Sequence, residues 1–158
     1  MINAILSNPN AVFGSVLLAI FGAWLGYLTA HRGRRATACA AFRASILNEL
    51  GSIYPNPAAW PENIDAFLRS RFTALQSAVE NFRAFVPWWK HSLFDRAWRT
   101  YRLGTDGRDI DIQHYGQYRP YIVEGVENDR YYKQDRTLTC KMNFKKNVEQ
   151  LLSYTNET

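Results

Sequence analysis

A chain of 158 residues and 18.3 kDa has the length of one domain, or of a small domain with an appendage. Hydrophobic residues at 47% and charged residues at 21% exclude a disordered or collagen-like chain, and two cysteines, Cys39 and Cys140, exclude a disulfide framework or a four-cysteine zinc site. The net charge of +5 conceals an asymmetry, because no Asp, Glu, Lys or Arg precedes Arg32.

The uncharged start contains a twenty-residue apolar stretch, residues 11–30, AVFGSVLLAIFGAWLGYLTA. A helix of that length rises about 30 Å, the thickness of the hydrocarbon layer of a bilayer. In lipid a single span satisfies its own backbone groups only as a helix. Asn8 can cap it, and Pro9 sits where a first-turn proline is tolerated. Trp24 and Tyr27 lie toward the far end, where interfacial aromatics are common. His31-Arg32-Gly33-Arg34-Arg35 closes it. With Arg32, Arg34 and Arg35 after the span and no cation before it, the positive-inside rule predicts an outside N-terminus and a cytoplasmic remainder. A cleaved signal peptide competes, but it needs a positive segment ahead of the apolar run. A buried core helix is the third reading. Cytoplasmic placement keeps both cysteines reduced and leaves the Asn156-Glu157-Thr158 sequon unused.

The span carries a second pattern. Ser15, Ala19, Gly22, Gly26 and Ala30 are spaced four, three, four and four apart, so they share one helix face. Gly22 and Gly26 form a GxxxG motif, which permits close approach of helices in lipid. Gly33, Thr37, Ala40 and Ala44 continue the stripe past the span, while Phe42, Ile46, Leu50 and Ile53 line roughly the opposite side. The pattern predicts one helix from about Pro9 to about Leu50, bent at Gly33 if anywhere. Its small face is a candidate contact for a second copy or a partner membrane subunit. The competing reading is that Gly and Ala are merely common in membrane helices, and that alanine is in any case the best helix former.

Three prolines within residues 55–61 predict a loop. Ile64, Leu68, Phe72, Leu75, Val79, Phe82 and Val86 then follow a helical period that Pro87 ends. A third helix is expected over Trp88 to Arg102, burying Trp89, Leu93, Ala97 or Trp98, and Tyr101. Residues 103–136 hold four glycines, Pro120 and seven acids against five bases, and read as ordered loop with tyrosines packed back. Asp109-Ile110-Asp111-Ile112 is the one short alternation that suggests a strand there. A last helix near Leu138 to Tyr154 is expected to bury Met142, Val148, Leu151 and Leu152. The fold class is therefore all-α. An anchor (1–30) and a juxtamembrane stalk (31–53) feed a cytoplasmic helical bundle (54–158) with one long irregular region.

No phosphate loop, zinc-protease motif or dinucleotide fingerprint occurs. Asp106, Asp109, Asp111 and His114 do not match a calcium loop, and His31, His91 and His114 are too scattered for zinc. Cys39 has Arg35 and Arg43 nearby, which would favour its thiolate, yet it lies among alanines where packing is the simpler role. No catalytic residue, metal or cofactor is assigned. The stretch from Trp88-Trp89-Lys90-His91 to Trp98-Arg99-Thr100-Tyr101-Arg102 has three readings: core with a solvated basic face, contact with an anionic leaflet, or base stacking on nucleic acid. Residues 32–102 carry eleven bases against five acids, a net +6, which favours the leaflet over nucleic acid.

The order of one span, a basic junction, Ala41-Phe42-Arg43, Ala78-Val79-Glu80-Asn81-Phe82-Arg83 and Phe94-Asp95-Arg96-Ala97-Trp98 resembles short bacterial membrane proteins. The resemblance implies an inner-membrane location and transfers no activity. The expectation is a single-pass, non-enzymatic interaction protein, an accessory or scaffold subunit that binds membrane lipid and self-associates or joins a partner. A membrane-perturbing effector and a membrane-tethered nucleic-acid or signalling module are the alternatives.

Overall fold

The computed structural model describes residues 9–57, 59–104, 115–127 and 130–156. It is mostly helical, 75%, with four α-helices among the described residues. The chain divides into two units, Met1–Ala38 and Cys39–Thr158. Helix α1, Pro9–Leu50, runs for 42 residues across that division. No proline interrupts it, and Ala and Leu are frequent along it. It stops where Gly51 follows Leu50, and the backbone N–H groups of Ile53 and Tyr54 both turn back to the Leu50 carbonyl at 2.9 and 2.8 Å. A Cβ on Gly51 would sit 2.6 Å from the Leu47 carbonyl oxygen, so the turn requires glycine.

The second unit is built on the far end of α1. Phe42, Ile46, Leu50 and Ile53 are all buried, on the face that their spacing predicts. Helix α2, Ile64–Arg83, is capped by Asn63, whose side chain accepts from the Ala66 N–H at 3.0 Å. Asp65 in its first turn and Arg83 in its last complement the helix dipole. Ile64, Leu68, Leu75, Val79 and Phe82 are buried on one stripe, and Val86 is buried just past it; Phe72 is half-buried. The rings of Phe42 and Phe82 stack at 4.5 Å, and Phe94 meets both edge-on.

The third helix departs from its expected register. Pro87 opens a 3-10 turn, Trp88–Lys90, and helix α3 begins only at His91 and ends at Leu103. Its buried face is Phe94, Ala97, Trp98 and Tyr101; Trp89 and Leu93 are exposed. A 3-10 turn advances about 120° per residue and an α-helix about 100°, so a stripe carried through from Trp89 falls out of phase. The seam starts one residue later, at Phe94. Gly104, with φ +79°, ends α3.

The described parts of residues 103–136, 103–104, 115–127 and 130–136, hold a 3-10 turn and a hairpin. A 3-10 turn at Tyr115–Tyr118 lies against α2, α3 and α4 (Thr137–Ser153). Tyr115 and Tyr118 are fully buried, as expected of packed-back tyrosines, whereas Tyr121 and Tyr131 are exposed. Gln117 fixes the turn by donating to the carbonyls of Thr100 and Tyr101, both at 2.9 Å. Strands β1 (Ile122–Glu127) and β2 (Arg130–Asp135) then form an antiparallel hairpin, with Glu124 opposite Lys133 and their side chains paired at 2.9 Å. The all-α expectation is thus corrected by one two-stranded sheet. The alternation at Asp109–Ile112 lies outside the described residues. In α4 the buried residues are Cys140, Phe144, Asn147, Val148, Leu151 and Leu152. Met142 is exposed, because it stands two residues, about 200° of helix, from both Cys140 and Phe144.

Candidate membrane-contact site

Within the first unit most of the described large apolar side chains are exposed. Phe13 is 68% exposed and Leu18 73%, and Val16, Leu17, Ile20, Phe21, Trp24, Leu25 and Tyr27 are exposed as well. The helix is long and apolar enough to cross a membrane, and none of its most apolar window is buried. A core helix of a water-soluble fold shows the reverse, because burial of such side chains is what drives folding.

The small-residue stripe keeps one face. Ser15, Ala19, Gly22, Gly26, Ala30, Gly33 and Thr37 are all exposed, and Ala40 and Ala44 continue the exposure in the second unit. A Cβ built on Gly14, Gly22, Gly26 or Gly33 meets nothing within 4 Å, so no internal packing requires glycine at these positions. Thr37 on the stripe and Thr29 beside it are absorbed locally: Thr37 Oγ1 donates to the Gly33 carbonyl at 3.1 Å, and Thr29 Oγ1 to that of Leu25 at 2.9 Å. Arg32 and Arg34 are exposed and Arg35 is half-buried.

The second unit presents a separate apolar feature at Pro87. Trp88 is 79% and Trp89 61% exposed, with ring centroids 5.8 Å apart and planes at 86°. Phe85 and Leu93 are exposed on either side in sequence, and Lys90 is half-buried. The leaflet reading of this stretch names Trp88, Trp89 and Lys90, whereas the helical register expects Trp89 and Leu93 in the core, and Phe85 carries no reading; Trp89 and Leu93 are both exposed. Spacing alone does not separate Leu93 from the core, because Leu93, Ala97 and Tyr101 also step by four and the last two are buried.

The remaining polar side chains mostly satisfy one another. A groove of about 590 Å³ between α2 and α3 is walled by Phe72, Gln76, Arg83, Asp95, Trp98 and Arg102. Inside it Trp98 Nε1 donates to Gln76 Oε1 at 2.8 Å, Arg83 grips both Asp95 oxygens at 2.8 and 2.9 Å, and the Arg102 guanidinium lies 5.4 Å from the Trp98 ring. Arg83 holds the Asp95 carboxyl below its ordinary value. Burial pushes Tyr101, Tyr115 and Tyr118 up, and it raises the Cys140 thiol too, the opposite of what a nucleophile needs. His91 Nε2 donates to the Val86 carbonyl at 2.9 Å. Among the described residues no three of His, Cys, Asp and Glu gather to hold a metal. Asp106, Asp109, Asp111 and His114 lie outside them. Comparison with known protein families, curated proteins and solved structures gives no match.

Proposed function

We propose that the chain is a single-pass protein of the bacterial inner membrane that works by binding, as an accessory or scaffold subunit. Residues 11–30 cross the bilayer with the N-terminus outside. Arg32, Arg34 and Arg35 lie on the cytoplasmic side, and the helical unit Cys39–Thr158 faces the cytoplasm. The observation that carries this reading is the bare apolar surface of α1: nine large hydrophobic side chains from Phe13 to Tyr27 are exposed to whatever surrounds the helix. Water is a poor surrounding for such a surface and lipid a good one.

The glycines supply the binding half of the proposal. Glycine in a helix interior is less favourable than alanine by about 0.5–1 kcal/mol. Gly22 and Gly26 incur that cost with no internal neighbour to require it. An external helix that approaches closely along the Ser15–Thr37 face accounts for them. Lipid and a second copy or partner subunit are then the ligands, and no cofactor or catalytic residue is needed. The test is extraction of native membranes. The protein should resist alkaline carbonate, dissolve in mild detergent, and migrate as a defined oligomer or larger complex. Release by carbonate, or a lone monomer in every detergent, contradicts the reading.

A further inference from the structure

We infer that the Pro87 corner is a second membrane contact, with Trp88 and Trp89 seated in the headgroup zone of an anionic bilayer. This rests on the anchored reading above. Four large apolar side chains, Phe85, Trp88, Trp89 and Leu93, are exposed within nine residues of chain. Single exposed apolar residues are ordinary, but a cluster with two tryptophans is not. The corner is also held in place. Pro87 is extended at φ −56° and ψ 138°, Lys90 N–H returns to the Pro87 carbonyl at 2.8 Å, and His91 Nε2 donates to the carbonyl of buried Val86 at 2.9 Å. Two indoles are therefore presented on a fixed turn.

Their chemistry selects lipid. Indole has an apolar body and one N–H donor, which suits the boundary between acyl chains and headgroups. Lys90 stands on the turn itself and exposed Arg96 follows in α3, while the intervening acid, Asp95, is already paired with Arg83. That excess of positive charge complements an anionic leaflet. Nucleic acid fits worse. Trp88 and Trp89 stand edge to face, so they offer no parallel platforms to successive bases, and Trp98 is buried and stacked on Tyr101 at 5.4 Å. Tethering by a span keeps the local lipid concentration high, so a small patch is enough to engage the surface.

The test uses the full chain in proteoliposomes of phosphatidylcholine with phosphatidylglycerol, with lipids brominated near the headgroup or deep in the chain. Trp88→Ser/Trp89→Ser is expected to lose the larger part of the headgroup-proximal quenching with an unchanged circular dichroism spectrum, because both side chains are exposed. Replacing the phosphatidylglycerol with phosphatidylcholine should weaken the same component. Trp24→Phe reports the span separately. Quenching that persists in the double variant and disappears in Trp24→Phe overturns the second contact while the anchor stands. Absence of any Trp24 quenching overturns the anchor. A corner covered by another protein leaves Trp88 and Trp89 unquenched by lipid, and that result also overturns the proposal.

Discussion

Asn147 Nδ2 donates to the Tyr118 hydroxyl at 2.8 Å, and that hydroxyl donates onward to the Tyr101 carbonyl at the same distance. All three residues are buried, so the chain links α4, the 3-10 turn and α3 through a satisfied polar path inside an apolar core. The Tyr101 and Tyr115 hydroxyls differ, for each is buried without a hydrogen-bond partner among the described residues. Tyr118→Phe strands the Asn147 amide and should cost about 1–3 kcal/mol. Tyr101→Phe removes an unsatisfied group and should be neutral or stabilising. Urea denaturation of the detergent-solubilised protein measures both, and equal losses would refute the distinction.

Alkaline pH should unfold the second unit. Burial raises Tyr101, Tyr115 and Tyr118 above the ordinary tyrosine value. Below about pH 10 all three are protonated in both folded and unfolded chains and add no pH dependence. Above it the unfolded chain releases protons that the folded one keeps, so the unfolded state binds fewer protons and stability falls as pH rises. Each tyrosine adds a slope of about 1.4 kcal/mol per pH unit. Denaturation midpoints measured on either side of pH 10 check this, and Tyr115→Phe should make the decline shallower.

The two ends of α1 should respond differently to the same substitution. Phe42 is buried and stacked on Phe82, whereas Phe21 is exposed and its ring meets that of Trp24 at 5.9 Å. Phe42→Ala should lower the stability of the second unit by about 3–5 kcal/mol. Phe21→Ala should leave its melting in detergent unchanged. A comparable loss from both would mean that Phe21 contributes to folding stability.

Residues with strong periodicity were legible and those whose partners are tertiary were not. Phe42, Ile46 and Leu50 step by four in a proline-free run, and the helix that buries them could be read directly. The α2 stripe was equally plain, except that helix ends at Arg83 and Val86 is buried from the turn beyond it. Met142 was misplaced because hydrophobicity outweighed phase. Cys140, Phe144, Val148 and Leu151 make the consistent seam, and Asn147 joins it only because Tyr118, 29 residues away, accepts its hydrogen bond. The β-hairpin was hidden by Gly125 and a high density of charge. Its register becomes visible through cross-strand pairs such as Glu124 and Lys133, which no local window relates. At Pro87 the change from 3-10 to α geometry decided that Trp89 faces outward.

The arginines after the span should control topology. Replacing Arg32, Arg34 and Arg35 together with Gln removes the charge bias near the end of the apolar stretch. A reporter enzyme that is active only outside the cytoplasm, fused after residue 158, should be silent in the natural chain and gain activity in the triple variant. Strong activity in the natural chain would reverse the proposed orientation.

The glycine face gives the sharpest test of association. Leucine is a better helix former than glycine by nearly 1 kcal/mol, so Gly22→Leu and Gly26→Leu should strengthen α1 itself. Both positions have open space around them within the chain, so neither substitution creates an internal clash. A second helix in close contact would meet the added side chains directly, because GxxxG packing depends on backbones coming together where no Cβ intervenes. Crosslinked oligomers, or a co-purifying partner, should therefore fall sharply in the double variant while expression and membrane integration persist. The control is Leu17→Ala on the same helix, which removes an exposed side chain on the side opposite the stripe and should leave association intact. If the glycine variants associate as before, the small face is not the contact, and the cytoplasmic unit must hold any assembly by itself.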